Sequence, residues 1–207
     1  ERSELVAVMR RRGDLAEDYA RRHDVPRWYD DADELINDPD VDAVYIATPP
    51  DSHKEYTIRV ARAGKAVYVE KPMARTALEC EDMISACEEA GVGLFVAYYR
   101  RAMPRFVTVK GLLGSGRLGQ LRSVSIRNEQ PAAPDEADDG GWRLNPEISG
   151  GGYFVDLGSH ILDLLDWLLG PVTYAAGFAT NRGARYPAED LVTGVFTFGS
   201  GVAGTGV

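Results

Sequence analysis

The feature that most constrains this chain is a rhythm. Four short apolar runs, Leu5–Met9 (LVAVM), Ala43–Ala47 (AVYIA), Ala66–Val69 (AVYV) and Gly93–Ala97 (GLFVA), alternate with helical segments. Helices are expected over Asp14–His23, over Ser52–Ala63, and from Thr76 to Gly91, where Thr76 and Glu79 make a capping box. Short apolar runs of this kind are strands buried on both faces, and helices between them supply parallel crossovers. The expectation is a doubly wound parallel α/β sheet covered on both sides.

Near Tyr98–Arg101 the rhythm changes. A helix is read through Leu113, and Leu121–Asn128 (LRSVSIRN) then alternates apolar with polar residues, as in a sheet with one solvated or partner-covered face. Phe154–Leu169 reads as a strong helix stopped by Gly170-Pro171, and VTYAAGFATN, LVTGVFTF and GVAGTGV read as strands with Gly-rich turns. The second half is therefore expected to be an α+β domain with an open, mainly antiparallel sheet. The domains are set at 1–100 and 101–207. Pro131–Gly141 (PAAPDEADDGG) is an acidic connection that suits a mobile flap or a solvated loop.

A doubly wound sheet ordinarily starts with a strand and a Gly-rich turn that holds pyrophosphate at a helix N-terminus. This chain opens directly on LVAVM and ends on a strand barely begun, so a piece of a longer product is expected, with unpaired sheet edges and impaired dinucleotide binding. Two stretches match G-x-G-x-x-G by letter. Gly114–Gly119 follows a helix and precedes a strand, and after Gly199–Gly204 the chain stops where a helix should begin. Both are read as turns.

Lys+Arg 23 against Asp+Glu 32 gives a net charge of −9 over 207 residues, which argues against nucleic acid or an anionic membrane as a partner. No apolar run approaches the ~20 residues of a membrane span. The start, ERSELVAVMRRR, lacks the order of a signal peptide, so a soluble, cytoplasmic protein is expected. Cys80 and Cys87 fall in one helix, about 10 Å apart by helical rise and beyond the ~7 Å limit for a disulfide. They are read as structural thiols.

Three groups can carry chemistry. Lys71, in Glu70-Lys71-Pro72, stands at the C-terminal end of a parallel strand, where ligands of open α/β sheets collect. Its ammonium can hold a substrate oxygen as an alkoxide forms, or it can be a solvated surface lysine. Asp156, His160, Asp163 and Trp167 fall at i, i+4, i+7 and i+11 along one helix, so that Asp156 can orient His160. That stripe fits a general acid/base pair, a helix face satisfied by local hydrogen bonds or, least well, a metal site, since no third ligand has suitable spacing. Arg10 and Arg11, with Arg12, close the first strand, where an acid would take a ribose 2′-OH and arginine would take a 2′-phosphate. No acid stands at Met9 through Arg12, so NADP is expected over NAD, though NAD is possible, and a solvated basic turn is the other reading.

With A-T-P-P-x-x-H at Ala47–His53, A-G-K-x-V-x-x-E-K-P at Ala63–Pro72 and G-G-G-x-x-x-D-x-G-x-H-x-x-D at Gly150–Asp163, the chain closely resembles the Gfo/Idh/MocA oxidoreductases. The resemblance implies a Rossmann domain followed by an α/β domain whose open sheet mediates dimer or tetramer contacts. By the same resemblance Lys71 is the catalytic lysine beside the nicotinamide and touches the cofactor, His160 is the proton-transfer residue and Asp156 its partner, while Thr48, Pro49, His53 and Glu70 line the dinucleotide. Trp142 and Arg143, with the strand-end arginines, look most like the branch containing 1,5-anhydrofructose reductase, where such a pair reaches cofactor and substrate. The implied activity is hydride transfer between a nicotinamide and a sugar, polyol or cyclic alcohol. The family also holds a sugar-responsive regulator without turnover and glycosidases that retain NAD, so both remain alternatives.

Overall fold

Each apolar run of the first half becomes a strand. The computed structural model describes residues 3–130 and 141–206, so most of the acidic 131–141 connection lies outside the described residues. In chain order the first half holds β1 (Ala7–Met9), α1 (Gly13–Arg22), β2 (Arg27–Tyr29), α2 (Ala32–Asn37), β3 (Ala43–Ile46), α3 (His53–Arg62), β4 (Ala66–Val69), α4 (Ala77–Ala90) and β5 (Leu94–Val96). The second half holds α5 (Pro104–Gly114), β6 (Ser123–Ile126), α6 (Pro146–Ser149), α7 (Ser159–Leu169), β7 (Val172–Thr180), β8 (Leu191–Phe198) and β9 (Ala203–Gly206). The chain divides into two units. Glu1–Thr48, Ser52–Glu70 and Ala77–Val96 form the first; Pro49–Asp51, Lys71–Thr76 and Ala97–Val207 form the second.

In the first unit β1 pairs with β2, and β3, β4 and β5 pair in that order, every ladder parallel. They form two separate sheets. β2 and α2 carried no apolar run to announce them. Arg-Trp-Tyr is three residues long, and α2 is recognisable only by Asp31, whose carboxylate accepts the Asp33 amide at 2.8 Å. Helices α3 and α4 pack on each other, and α3 also meets β3 and β4. Val60, Val67, Val69 and Met83 are fully buried. Truncating a side chain such as Met83 to Ala is expected to cost about 2–5 kcal/mol.

Coverage of this sheet differs from the expectation. Tyr45, Tyr68 and Phe95 stand in register on adjacent strands and all three are exposed, with Tyr45 and Tyr68 stacked at 5.0 Å between ring centroids. The side chains of Ile46, Val67 and Val69, which alternate with them, are buried. Among the described residues, then, the three-stranded sheet is buried on one face and open on the other. Apolar runs report hydrophobic strands; they do not say whether both faces find cover within the same stretch of chain.

The sheet of the second unit runs β6-β9-β8-β7, with β6 and β9 parallel and the other ladders antiparallel. Its inner face carries Phe196, Phe198 and Val124, which gather with Leu169 and Val202 over Leu113, Leu165 and Leu168. Phe196 lies across β9, where a Cβ on Gly204 would stand 2.4 Å from its ring. Only glycine fits under that ring. On the opposite face Tyr174, Phe178, Leu191 and Val195 are exposed. Both G-x-G-x-x-G matches are turns, one closing α5 and one joining β8 to β9 with Gly201 at φ +82°. Cys80 and Cys87 form no disulfide among the described residues, and burial pushes the Cys87 thiol up. Among the described residues no helix is long and apolar enough to cross a membrane.

Candidate functional site

Strand β4 ends at Val69, and two residues later the chain has entered the second unit. There the Lys71–Pro72 peptide bond is cis. The segment 71–76 is tied down at its far end, where Arg75 Nη1 donates to the Glu147 carbonyl of α6 at 2.7 Å. Gly150, just past α6 with φ +85°, lets the chain pass so near Arg75 that a Cβ would lie 2.8 Å from its Cα. The first glycine of G-G-G thus serves backbone packing.

Lys71 Nζ donates to Asp156 Oδ1 and, at 3.2 Å, to the Asp156 carbonyl oxygen. Both side chains are largely buried, at 17% and 23% exposure. An ammonium in such a setting is fixed in direction by its carboxylate, because losing either partner leaves a poorly solvated charge. Asp156 lies on a π turn, Phe154–Gly158, which precedes α7. The sequence reads Phe154–Leu169 as one regular helix, whereas the wider turn departs from the 3.6-residue period on which the Asp156–His160 stripe was drawn. His160, 5% exposed, has the rings of Tyr98 and Tyr99 set edge-on at 5.9 and 5.3 Å.

The rest of the stripe goes elsewhere. Arg101, on the 3₁₀ turn Tyr99–Ala102, grips the Asp163 carboxylate through Nε at 3.0 Å and through Nη2, which holds the guanidinium in its charged form. Trp167 takes Lys110 over its ring at 4.1 Å. Tyr98, Tyr99 and Arg101 escaped sequence reading, although a Tyr-Tyr-Arg-Arg run where the rhythm changes was the signal available. Trp142 and Arg143 are associated by a cation–π contact of 4.4 Å, with the guanidinium exposed. No group of three or more His, Cys, Asp or Glu side chains suited to a metal occurs among the described residues.

In the first unit Arg10 and Arg11 are exposed just past β1, while Arg12 is paired with Asp14 at 2.6 Å. Thr48 follows β3, its hydroxyl accepting from Ser52 at 2.8 Å and its carbonyl 2.7 Å from His53 Nε2. His53 is fully buried, so its side chain shapes the Thr48 loop from beneath. Glu70 accepts the Tyr45 hydroxyl, and partial desolvation of that hydroxyl, on a side chain otherwise exposed, together with the carboxylate pushes the phenol up from its usual range. Pro49 belongs to the second unit.

Comparison with known proteins places the chain. Residues 1–98 match the model described as "Oxidoreductase family, NAD-binding Rossmann fold" and residues 106–207 match the GFO/IDH/MocA C-terminal domain. The chain belongs to the Gfo/Idh/MocA family. Among its relatives, oxidoreductase P35 of Formosa agariphila is 43% identical over 177 residues, covering 83% of this chain and 54% of that protein. The 1,5-anhydro-D-fructose reductase of Ensifer adhaerens is 31% identical over 206 residues, covering 96% and 60%. The WlbA dehydrogenase of Bordetella pertussis, solved with NADH and UDP-GlcNAcA, superposes with a TM-score of 0.89 at 31% identity, covering 99% and 58%. This Gfo/Idh/MocA chain therefore spans somewhat more than half the length of these relatives.

Proposed function

We propose that this protein transfers hydride between a nicotinamide cofactor and a sugar, polyol or cyclic alcohol, with NADP favoured over NAD. The observation that carries the reading is the Lys71 ammonium, fixed on Asp156 in the unit that also holds the buried His160. A bound nicotinamide supplies the hydride acceptor or donor. In alcohol oxidation the substrate hydroxyl gives its proton to His160 as its carbon loses hydride, leaving a carbonyl. Lys71 donates a hydrogen bond to that oxygen, and Asp156 keeps the ammonium aimed.

Residues of the first unit fit the dinucleotide. Arg10 and Arg11 are exposed at the strand end and make no ion pair among the described residues, which suits a 2′-phosphate. Thr48 and Glu70 follow parallel strands, where such ligands collect, and His53 acts by holding the Thr48 carbonyl. Trp142 and Arg143 offer a stacked pair for cofactor or substrate. The names of the relatives, a reductase of an anhydro-sugar and a dehydrogenase solved with a nucleotide sugar, support the substrate class. The open face of the second sheet, with Tyr174, Phe178 and Val195 exposed, suits a homodimer or homotetramer contact in a cytoplasmic protein.

Nicotinamide absorbance followed across a sugar and polyol panel tests the reading. Lys71→Ala and His160→Ala are each expected to lower turnover about 100-fold or more. Unchanged turnover in both would reject the roles. In the same assay Arg10→Asp should raise the KM for NADPH more than that for NADH, and equal effects would remove the 2′-phosphate contact.

A further inference from the structure

A hydrogen-bonded chain runs from the connection between β7 and β8 to the Lys71–Asp156 pair. Glu189 Oε1 accepts the Gly152 amide at 2.7 Å, and the Gly152 carbonyl accepts the Asp156 amide at 3.1 Å. The Asp156 carbonyl accepts from Lys71 at 3.2 Å and from the Ser159 hydroxyl at 3.2 Å. We propose that Glu189 is a positioning residue: its carboxylate holds the entry of the π turn and so sets where Asp156 presents itself to Lys71. This rests on the oxidoreductase reading of Lys71.

Three further observations support it. First, the approach is too tight for any side chain on Gly152, whose added Cβ would lie 2.6 Å from the Glu189 carbonyl oxygen and 3.1 Å from Ala188 Cβ. Ala188 itself is 1% exposed. Second, Tyr186 sets its ring edge-on against Tyr153 at 6.4 Å, so the same connection touches the residue after Gly152 as well. Third, the Gly152 amide precedes a helix whose first N–H groups lack intrahelical acceptors. A carboxylate there supplies an acceptor and complements the positive end of the helix. Glu189 thus acts on the reacting groups through the backbone. The two later glycines of G-G-G are explained as well: Gly151 would place a Cβ 2.4 Å from Val155, and Gly152 must admit Glu189.

The test compares Glu189→Gln, Glu189→Asp and Glu189→Ala. Gln keeps an acceptor at the same reach, Asp keeps the charge but falls a methylene short, and Ala removes both. The first readout is the rate at which an amine-acylating reagent labels Lys71, measured by peptide mass spectrometry against Lys54 and Lys65 in the same sample. Lys71 should label several-fold faster in the Asp and Ala variants and at the wild-type rate in Gln. The second readout is turnover, expected to fall about tenfold or more in Asp and Ala with the KM for nicotinamide unchanged. If Glu189→Ala does not fold, the contrast between Asp and Gln decides. Equal labelling in all variants and wild type, or equal acceleration in all three including Gln, overturns the proposal. Faster labelling in Asp and Ala with no turnover in any form, wild type included, upholds Glu189 and rejects the oxidoreductase reading.

Discussion

Asp38 shows how much a side chain can do outside any motif. Its carboxylate accepts the Asp40 amide and the Tyr29 hydroxyl, each at 3.0 Å, and is paired with Arg27 at 2.8 Å. Its carbonyl accepts from Lys65, which also reaches the Val41 carbonyl at 2.7 Å. The Asp40 amide foremost, then Tyr29 and Arg27, hold the carboxyl below the usual carboxylate range against the opposing effect of burial. A depressed folded-state value stabilises the protein above the unfolded value of about 3.9 and stops doing so as pH falls through the folded one. Asp38→Asn should therefore lower the urea midpoint at pH 7, and its gap from wild type should close on acidification below about pH 4. A constant gap from pH 7 to pH 3 would contradict this. Such a hub is invisible in sequence because its partners, one of them a main-chain amide, follow no motif spacing. The same holds for Glu189, whose partner is an amide 37 residues away. Lys71, Asp156 and His160 are singled out by identities and spacings that recur as motifs, whereas the ion pair of Lys71 with Asp156, 85 residues apart, is not announced by spacing.

At the scale of elements, strands are legible in the sequence where apolar runs are continuous and hidden where they are not. β4 was delimited to the residue, β2 had no apolar pattern, and α7 was read long because a π turn keeps helical composition while changing the pitch. The 3₁₀ turn carrying Tyr99 is fastened to α7 chiefly by Arg101, whose partner Asp163 has a side chain only 8% exposed. Removing the guanidinium leaves that carboxylate without its strongest partner, a loss of about 1–3 kcal/mol. Arg101→Ala should accordingly lower the thermal midpoint, and adding Asp163→Asn should recover part of the loss. Strict additivity of the two changes would show that the pair does not couple turn to helix.

At the scale of the whole molecule, two sheet faces are left apolar among the described residues. On the second sheet Tyr174, Phe178, Leu191 and Val195 are exposed opposite the packed side formed by Phe196 and Phe198. If copies associate there, Phe178→Glu, at a position 60% exposed, should shift sedimentation to a smaller species while leaving circular dichroism unchanged. A wild-type protein that sediments as a monomer would remove the contact. The alternation of Leu121–Asn128 announced a sheet with one open face, but a continuous apolar run gave no sign that Tyr45, Tyr68 and Phe95 would also be open. Lys71 leaves the first unit one residue after Glu70 and is housed with Asp156 and His160 in the second. The spacing among these three is thereby set within a single unit. Under the proposed hydride transfer, exchanging residues of the first unit would alter coenzyme choice while Lys71, Asp156 and His160 keep their mutual spacing.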